Sequence, residues 1–459
     1  MIELPTYAWL YKRALEPVHA RLRRRSTLDH RASLERSQWW SAERLEAHQW
    51  QQLSALLRHA YEQTSYWRRA MDRAGLPPSR IRSWDDFRRL PLVSREEIRQ
   101  NVDAMCAADH RGRTWPKSTG GSSGTPLHFH YTPESYDWRV ATSKRGYGWA
   151  GYEDGVKSLH IWGVALGEVP ALQRCKEALH RAVLRQRYVN CFDWGPDAMR
   201  RAFEEIVRFR PTVIVAFTNP LYELAKFLRR EGLEPPPLHS IITGAEKLHE
   251  HQRAVIGAAF GCPVFNTYGS REFMLIASEC AEHSGMHIQM ENLVVEVVTE
   301  QGQPVAPGET GEIVVTDLHN LGMPFIRYRI GDLGIPSDRE CPCGRKLRLL
   351  QDVVGRSLDM LVTQEGRMVP GEFFPHLMKD HAQIRQFQVI QDAPDRLQIK
   401  FVRSDRQAAI ELDPVRREIQ NVMGQGTRIQ FEEVTEIPLT RLGKLRVTIN
   451  NIPGQQGGV

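Results

Sequence analysis

The sequence predicts an α/β protein: a large multi-subdomain N-terminal α/β domain that contains a β subdomain, followed by a small α+β domain. Between residues 211 and 270, "PTVIVAF", "HSIITGAE" and "CPVFNTYGS" have strand patterns, and the helix "PLYELAKFLRREG" lies between the first two. This βαβ rhythm predicts a parallel sheet covered by helices. A chain of 459 residues is too long for one core, so we expect two domains, at residues 1–354 and 355–459.

The flanking regions have other patterns. Residues 1–110 place apolar residues three and four apart, which predicts helices. In "LVSREEIRQNV", Ser94 is the expected N-cap and Glu97 follows three residues later. From residue 292, "NLVVEVVTEQGQPVAPGETGEIVVTDL" predicts two strands and a turn-rich loop, the β subdomain. After "VVGRSLDML" (353–361), "QFQVIQD", "RLQIKFVRS" and "TRIQFEEV" predict strands and "PVRREIQNVMG" a helix, enough for a small domain.

Composition and charge limit the class of protein. The chain is 41% hydrophobic and 25% charged, as soluble globular proteins are. Its net charge of +6 suits a phosphate-bearing ligand, whereas a nucleic-acid binder has a sharper basic concentration. There is no apolar stretch of the roughly 20 residues that span a membrane, no signal-peptide pattern and no disulfide scaffold. We therefore expect a cytoplasmic protein that binds no nucleic acid.

One basic concentration does occur near the start of the chain. "HARLRRRS" follows "YAWLYKRAL", and together they predict a basic amphipathic helix. Such a helix is either a solvated face of the fold or a segment that lies on an anionic membrane. The sequence leaves both interpretations open.

The segment "KSTGGSSGTPLHF" (117–129) contains eight consecutive Ser, Thr or Gly residues, 118–125. It is either a slack linker or a phosphate-binding loop, in which small residues let backbone N–H groups and short hydroxyls surround an anion. It is not a P-loop of the Walker type, because no Gly-Lys-Ser/Thr follows. Gly/Ser loops without a ligand are common, so this segment alone decides nothing.

Four further segments follow in order: "TGAE" (243–246), "YGSRE" (268–272), "RYRIGDLG" (327–334) and "PLTRLGKLR" (438–446). With them, the sequence resembles the adenylate-forming (AMP-forming) acyl ligase superfamily. Within that superfamily it is most similar to the phenylacetate–coenzyme A ligases and their capsule-biosynthesis relatives. The resemblance runs from about residue 40 to about residue 450. It implies that ATP binds between the two domains and that the small C-terminal domain is mobile.

The resemblance also implies roles for individual residues. Glu272 would hold Mg²⁺, Asp332 would take both ribose hydroxyls, and Lys444 would enter the site as the catalytic lysine of the first half-reaction. A carboxylate suits a diol because it accepts two hydrogen bonds at once. The other expected ATP/AMP contacts are Ser122, Ser123, Gly124 and Thr125 for the phosphates, Gly244, Ala245 and Glu246 for adenine, Tyr268 for the base with Gly269, Ser270 and Arg271 after it, and Arg356 at the domain junction.

Three positions depart from the family pattern. Thr125 stands where relatives often have lysine, so the loop has lost a positive charge. Arg271 stands where many relatives have Thr or Ser against the α-phosphate. Leu358 replaces the usual hinge acid, with Asp359 one residue later. An inactive nucleotide-binding relative is therefore an alternative, against which Lys444 and Glu272 argue.

Three of the seven cysteines lie in two short segments, "ECAEHSGMH" (279–287) and "ECPCGRK" (340–346). Cys280, Cys341 and Cys343 with one histidine would make the four-ligand set of a structural zinc site. His283 and His287 compete for the fourth place. His287 is preferred because "GMH" resembles a segment beside which some relatives bind zinc. The alternative is a set of reduced thiols without a metal.

The reaction that the resemblance implies has two steps: MgATP and a carboxylic acid give an acyl-adenylate and pyrophosphate, and coenzyme A then displaces AMP. An amine or hydroxyl acceptor is the alternative to coenzyme A, and a membrane-surface scaffold is a further alternative. The expected partners are these small molecules, and a homodimer is left open. In the resembled ligases the acid pocket lies between the Gly/Ser loop and the sheet, so the candidate lining residues are Tyr136, Trp138, Trp162 and Phe217. Aromatic walls would favour an aryl or arylacetyl acid, although these four residues are more simply explained as part of a core.

Overall fold

The computed structural model describes residues 6–119, 127–163, 171–192, 194–354, 361–369, 371, 373–378, 381, 383–403, 410–438 and 447–452. Over these residues it has the α/β architecture that the sequence predicts, with one large mixed sheet and a smaller C-terminal sheet. No helix among them is both long enough and apolar enough to cross a membrane.

The N-terminal region is helical, as predicted. Its elements are α1 (Thr6–Leu10), a π-helical segment (Tyr11–Leu15), α2 (Glu16–Leu22), α3 (Thr27–Ser37), α4 (Ala42–Gln63), α5 (Ser65–Arg73), α6 (Trp84–Arg88) and α7 (Arg95–Met105). Ser94 caps α7 by accepting from the Glu97 N–H at 3.1 Å. The Glu97 carboxylate does not complete a capping box and instead accepts from the Tyr66 hydroxyl at 2.5 Å.

Two short strands and a helix follow, and after them the parallel half of the large sheet begins. The elements are β1 (Trp115–Ser118), β2 (His128–Tyr131), α8 (Pro133–Gly148), β3 (Ser158–Trp162), α9 (Ala171–Val183), β4 (Gln186–Asn190), α10 (Pro196–Phe209), β5 (Val213–Phe217), α11 (Thr218–Glu231), β6 (Ser240–Gly244), α12 (Glu250–Phe260) and β7 (Val264–Ser270). Strands β4, β3, β5, β6 and β7 are neighbours in that order and parallel. The predicted βαβ rhythm is confirmed here.

The other half of the large sheet is antiparallel. It comprises β8 (Met274–Glu279), β9 (Met286–Ile288), β10 (Leu293–Val298), β11 (Gly311–Asp317), β12 (Tyr328–Ser337) and β13 (Leu349–Val353), in the order β7-β8-β9-β13-β12-β11-β10. Strands β10 and β11 are the predicted pair of the β subdomain. β7 belongs to both halves, because it is parallel to β6 and antiparallel to β8.

The C-terminal elements are β14 (Leu361–Val362), β15 (Met368–Val369), α13 (Phe373–Met378), β16 (Ile384–Ala393), β17 (Arg396–Arg403), α14 (Asp413–Met423), β18 (Arg428–Glu433) and β19 (Thr448–Asn450). They form the predicted α+β unit, whose four-stranded sheet has the order β18-β17-β16-β19. Phe373 of α13 packs on Phe192 of the large domain, with ring centroids 5.7 Å apart. The predicted boundary at 354/355 adjoins residues 355–360, outside the described part of the chain, and stays a prediction.

The edge at which the parallel strands end positions the candidate site. β3, β5 and β6 end at Trp162, Phe217 and Gly244, with Phe217 in register with Gly244. In open α/β sheets, ligands bind outside the carboxyl ends of the parallel strands. The motif residues of the central part of the chain follow these ends.

Candidate active site

The Gly/Ser run connects two paired strands. Ser118 of β1 is in register with His128 of β2, and beyond them the Thr119 N–H donates to the Leu127 carbonyl at 3.0 Å. The Thr119 hydroxyl also accepts from the Leu127 N–H at 2.9 Å. The run is therefore a hairpin connection and not a linker between domains. Residues 120–126, with the predicted phosphate contacts Ser122, Ser123, Gly124 and Thr125, lie outside the described residues.

Glu272, the predicted magnesium ligand, is buried next to the base of this hairpin. Its Oε1 atom lies 3.1 Å from Arg95 Nη2 and accepts from the Tyr328 hydroxyl at 3.3 Å. The same Arg95 donates to the Thr119 hydroxyl at 3.3 Å. One guanidinium thus joins the Glu272 carboxylate to Thr119 at the base of the hairpin.

Arg95 is a site residue that the sequence analysis did not select. It is the first residue of α7, directly after the N-cap Ser94. A cation at the positive end of a helix dipole is unfavourable unless another interaction compensates for it. A cation at this end of a helix was therefore a sign, visible in the sequence, that Arg95 has a partner elsewhere. The partner is the buried Glu272, whose negative charge compensates for the unfavourable interaction with the helix dipole.

Lys117 is the second residue that sequence reasoning missed, although it directly precedes the Gly/Ser run. Its pKa is lowered to about 8, chiefly by burial and also by the charges of Arg271 and Arg139, while the charge of Glu272 opposes the shift. Its ammonium lies 5.3 Å from the centre of the Tyr131 ring. Arg95 thus bonds Glu272, Lys117 is influenced by its charge, and Arg271 directly precedes it in the chain. The three cations give the base of the hairpin an excess of positive charge that suits a polyphosphate.

Tyr268 and Asp332, which the sequence analysis assigns to the base and the ribose, are in direct contact. The Tyr268 hydroxyl donates to Asp332 Oδ2 at 3.0 Å. Asp332 and Tyr328 both belong to β12 and are both buried. Through them β12 contacts both ends of the "YGSRE" segment, since Tyr328 bonds Glu272 and Asp332 bonds Tyr268.

The "TGAE" segment turns sharply at the end of β6. Ala245 has φ +67°, a left-handed conformation that is strained for a residue with a Cβ and that occurs often at functional sites. The Glu246 carboxylate points back to the start of α11, where its Oε2 accepts from the Asn219 N–H at 2.7 Å. Burial raises the pKa of Glu246 to about 7. The side chain of Glu246 is thus engaged by α11, and the backbone of Gly244 and Ala245 remains at the sheet edge.

The four aromatic residues separate into two groups. Trp162 and Phe217 meet at the carboxyl edge of the parallel strands, with ring centroids 4.2 Å apart, beside Gly244. The other two belong to α8: Trp138 is stacked between two histidines, His30 at 4.1 Å and His319 at 4.0 Å, and Tyr136 is stacked on Tyr131 at 5.9 Å. Trp162 and Phe217 therefore border the candidate site, whereas Trp138 packs α3 and α8 against the sheet.

The predicted zinc ligands converge on one point. Donor atoms of Cys280, His287, Cys341 and Cys343 all lie within 4.8 Å of one another. Cys280 Sγ is 3.6 Å from Cys341 Sγ, and Cys343 Sγ is 3.4 Å from His287 Nε2. Two sulfurs bound to one tetrahedral zinc ion at about 2.3 Å would be about 3.8 Å apart, so the four residues suit the metal.

His283 is held elsewhere. Its Nδ1 atom lies 3.1 Å from Glu279 Oε2, whereas His287 is fully buried in β9 next to the cysteines. Burial, with Arg345 nearby, lowers the pKa of His287 to about 4, so its ring is neutral, as a metal ligand must be. The structure thus brings His287, and not His283, to the three thiols.

The described part of the chain brings together Gly244, Tyr268, Glu272 and Asp332 with the hairpin base. Arg356 and Lys444 lie outside the described residues, so their predicted roles are not joined to this geometry.

Comparison with known proteins identifies two matching segments. Residues 183–321 match the family described as AMP-binding enzyme, and residues 361–451 match the family described as CapK C-terminal domain. The second segment coincides with the described C-terminal α+β unit.

Curated relatives match over most of the chain. A phenylacetate-coenzyme A ligase of Thermus thermophilus is 26% identical over 334 residues, 71% of this chain and 73% of the relative. Protein CapK of Staphylococcus aureus is 25% identical over 374 residues, 80% of this chain and 81% of the relative. A phenylacetate-coenzyme A ligase of Aromatoleum evansii is 26% identical over 84% of this chain and 90% of its own length.

A solved structure shares the fold. The structure of 2-hydroxyisobutyryl-CoA ligase with 2-HIB-AMP and CoA, in the thioesterification state, superposes with a TM-score of 0.58 at 22% identity, covering 91% of this chain and 92% of that one. Motif order, site geometry, sequence relatives and fold agree. The two matching families and the sequence relatives together support the adenylate-forming ligase superfamily, in the group of the phenylacetate–coenzyme A ligases and CapK.

Proposed function

We propose that the protein activates a carboxylic acid with ATP and then transfers the acyl group to coenzyme A. In the first step a carboxylate oxygen of the acid attacks the α-phosphorus of ATP, and the bond to the β-phosphate breaks, which releases pyrophosphate. In the second step the thiol sulfur of coenzyme A attacks the acyl carbon, the thiol loses its proton, and AMP leaves. Activation is needed because a free carboxylate is a poor electrophile.

One observation carries this proposal: the Tyr268–Asp332 hydrogen bond of 3.0 Å lies next to the buried Glu272, which Arg95 ties to the Gly/Ser hairpin. In this arrangement each part of a bound nucleotide would have its own contact residues. Asp332 would bind the ribose, Tyr268 would contact the base and orient Asp332, and the loop residues Ser122 to Thr125 would contact the phosphates.

Lys117 and Arg271 would supply the positive charge that the loop lacks at Thr125. The charge of Arg271 lowers the pKa of Lys117 and the charge of Glu272 raises it, so Lys117 lies near both residues. A guanidinium can form two parallel hydrogen bonds to a phosphate, and an ammonium acts as a point charge. This displaced set of cations supports an active enzyme over an inactive relative.

Two metal ions belong to the proposal. Glu272 would hold Mg²⁺ together with phosphate oxygens, the ligand set that Mg²⁺ usually takes at ATP sites. Its Oε1 already accepts two bonds, but a carboxylate offers about four acceptor positions. Zinc at Cys280, His287, Cys341 and Cys343 would be structural, because four protein ligands leave no open position for a substrate. When bound, Mg²⁺ would neutralise charge on the phosphates.

The acid is proposed to be an aryl or arylacetyl acid, since Trp162 and Phe217 border the site with ring centroids 4.2 Å apart and aromatic walls favour flat substrates. We place the reaction in the cytoplasm, because its substrates, ATP and coenzyme A, are available there.

The test is a panel of carboxylic acids assayed for acid-dependent pyrophosphate release with MgATP, followed by thioester analysis after coenzyme A is added. Pyrophosphate and an acyl-coenzyme A product are the expected results. Pyrophosphate release with an acyl product only on an amine or hydroxyl would move the acceptor to the alternative class. No acid-dependent release across aryl, arylacetyl and aliphatic acids, from protein that binds ATP, would contradict the proposal.

A further inference from the structure

The first helices and α9 form a surface that the proposed reaction does not use. It comprises residues 6–25, which hold α1, the π-helical segment, α2 and the three arginines after it, and residues 171–188, which hold α9 and the five residues after it. We call it the α2/α9 surface. Six of its apolar side chains are 45–78% exposed: Trp9, Leu10, Val18, Leu22, Leu172 and Leu179. Exposed apolar side chains are normal when scattered, but a contiguous group marks an interaction site.

The backbone of the N-terminal segment keeps one face inward along its whole length. The buried residues are Ala8, Tyr11, Glu16 and Ala20. The wider spacing from Tyr11 to Glu16 falls in the π-helical segment, where one extra residue per turn keeps Glu16 on the inner side. The outer side therefore retains the apolar side chains together with Arg13 and Arg21.

Helix α9 presents a second apolar stripe. Leu172, Leu179 and Val183 are seven and four residues apart, which places them on one face of the helix. Both leucines are 68% exposed and Val183 is 36% exposed. Since α9 is thirteen residues long and its apolar face has no cover among the described residues, it differs from the core-facing helices α10 and α11.

The two parts are adjacent. The Tyr7 hydroxyl donates to the Val183 carbonyl at 2.7 Å, and the Arg185 guanidinium lies 5.2 Å from the centre of the Tyr7 ring. His180 of α9 is near enough to α2 for its charge to contribute, with burial and Arg23, to the lowered pKa of His19. The apolar residues of the two parts thus belong to one surface.

This surface holds the positive charge of the protein. Residues 6–25 and 171–188 contain eleven basic and two acidic side chains, a net charge of +9, whereas the whole chain has +6. The remainder of the chain is therefore net negative. Glu16, one of the two acids, is buried and paired with Lys144.

We propose that the α2/α9 surface docks the protein on an anionic lipid bilayer. Exposed aliphatic side chains and a tryptophan flanked by Arg and Lys are the composition of helices that lie in the membrane interface, where basic groups face anionic headgroups. A nucleic acid would not use the leucines. A second copy of the chain is disfavoured, because a symmetric interface would oppose two surfaces of the same positive charge.

The experiment is cosedimentation of the full chain with phosphatidylcholine vesicles that contain or lack phosphatidylglycerol, at low and high salt. We expect binding only to the anionic vesicles, and weaker binding as salt rises. Two variants test the surface: Arg21→Gln with Arg23→Gln and Arg24→Gln, and Leu172→Ser with Leu179→Ser. The arginine variant should bind roughly 100-fold more weakly, given the contribution of each basic residue near an anionic leaflet, and the leucine variant about tenfold or more.

Matched controls separate the surface from net charge and helix stability. Arg89→Gln with Arg230→Gln and Arg428→Gln removes the same charge from exposed arginines elsewhere, and Gln173→Ser with Ala178→Ser places serines on α9 off its apolar stripe. Both control variants should bind as the unmodified protein does. Neither surface variant touches the candidate site, so nucleotide binding should not change.

Three results would overturn the proposal. One is no binding to anionic vesicles at low salt, and another is an equal loss in the surface and control variants. The third is a dimer by light scattering that the leucine variant dissociates without any vesicle binding, which would assign the surface to a second copy.

Discussion

Asp332 is the side chain on which nucleotide binding depends most directly. Its Oδ2 atom is fixed by Tyr268 at 3.0 Å, and the proposed ribose diol would add two further donors. Asp332→Ala should weaken ATP binding roughly ten- to hundredfold, since an unpaired polar group in a buried site costs about 1–3 kcal/mol. Isothermal titration with ATP measures this. The control is Asp352→Ala, which removes a half-exposed acid of β13 that pairs with Lys247. Normal ATP binding by Asp332→Ala would contradict the assignment of Asp332 to the ribose.

Lys117 gives the candidate site a pH dependence. Its pKa is lowered to about 8 by burial and by Arg271 and Arg139, so its charge is present below pH 8 and is lost above it. We expect kcat/KM for ATP to fall as pH rises through this value, because that ratio follows groups of the free enzyme. Lys117→Arg should retain activity without this fall in kcat/KM, whereas Lys117→Gln should have a low kcat/KM at every pH. If kcat/KM of Lys117→Arg fell over the same pH range, a group other than Lys117 would be responsible for the pH dependence.

Glu246 should make the folded protein less stable as pH rises, whereas a carboxylate with a lowered pKa makes it more stable. Burial raises its pKa from 4.5 to about 7, so its stabilising contribution is complete below pH 4.5 and is lost as pH rises through about 7. Glu246→Gln keeps an acceptor for the Asn219 N–H and cannot ionise. The variant should gain stability over the unmodified protein at about pH 8, by at most about 3 kcal/mol, and almost nothing at about pH 4. Urea unfolding at both pH values tests this, and the exposed Glu234→Gln should show no such difference.

At the scale of elements, the four-residue cluster ties the end of β8, strand β9 and the 341–343 segment together. Protein purified without chelator should contain about one zinc per chain. His287→Ala and Cys341→Ser should lower zinc content and melting temperature together, because metal binding energy contributes to folding. His283→Ala is the matched control, since His283 bonds Glu279, and it should keep its zinc. Metal-free protein of unchanged stability would support reduced thiols.

The hairpin of β1 and β2 and helix α7 act as one unit through Arg95. The sequence predicts the α7 cap correctly, with Ser94 accepting from Glu97, because capping is a local interaction. It does not predict that Arg95 bonds Glu272, since the two residues are 177 positions apart. Elements are thus predicted from local pattern, and their contacts are decided by the packing of distant segments.

At the scale of the whole molecule, the two domains should contribute unequally to the two half-reactions. Adenylation must bring an anionic carboxylate to an anionic α-phosphate, which a mobile cation on the small domain would assist. Lys444→Ala should therefore lower acid-dependent pyrophosphate release about 10²- to 10³-fold. The same variant, given synthetic acyl-adenylate and coenzyme A, should still form thioester, because that step needs an open path and a good leaving group. Equal loss of both steps would assign Lys444 to folding or domain docking.

The sequence by itself determined the fold class, the parallel strands 213–217, 240–244 and 264–270, and the order of the motifs that carry the family resemblance. These follow from short-range patterns: hydrophobic periodicity, caps and glycine-rich turns depend on neighbours within a few residues. The tertiary structure alone decided which of two histidines joins the cysteines, that Glu246 turns toward α11, and that Lys117 and Arg95 lie beside Glu272. It also brought the end of α9 to α1, where Tyr7 contacts Val183 although the two residues are 176 positions apart. Such choices depend on which segments pack together, and a linear pattern does not contain that information, because burial and charge at each position arise from contacts distant in sequence.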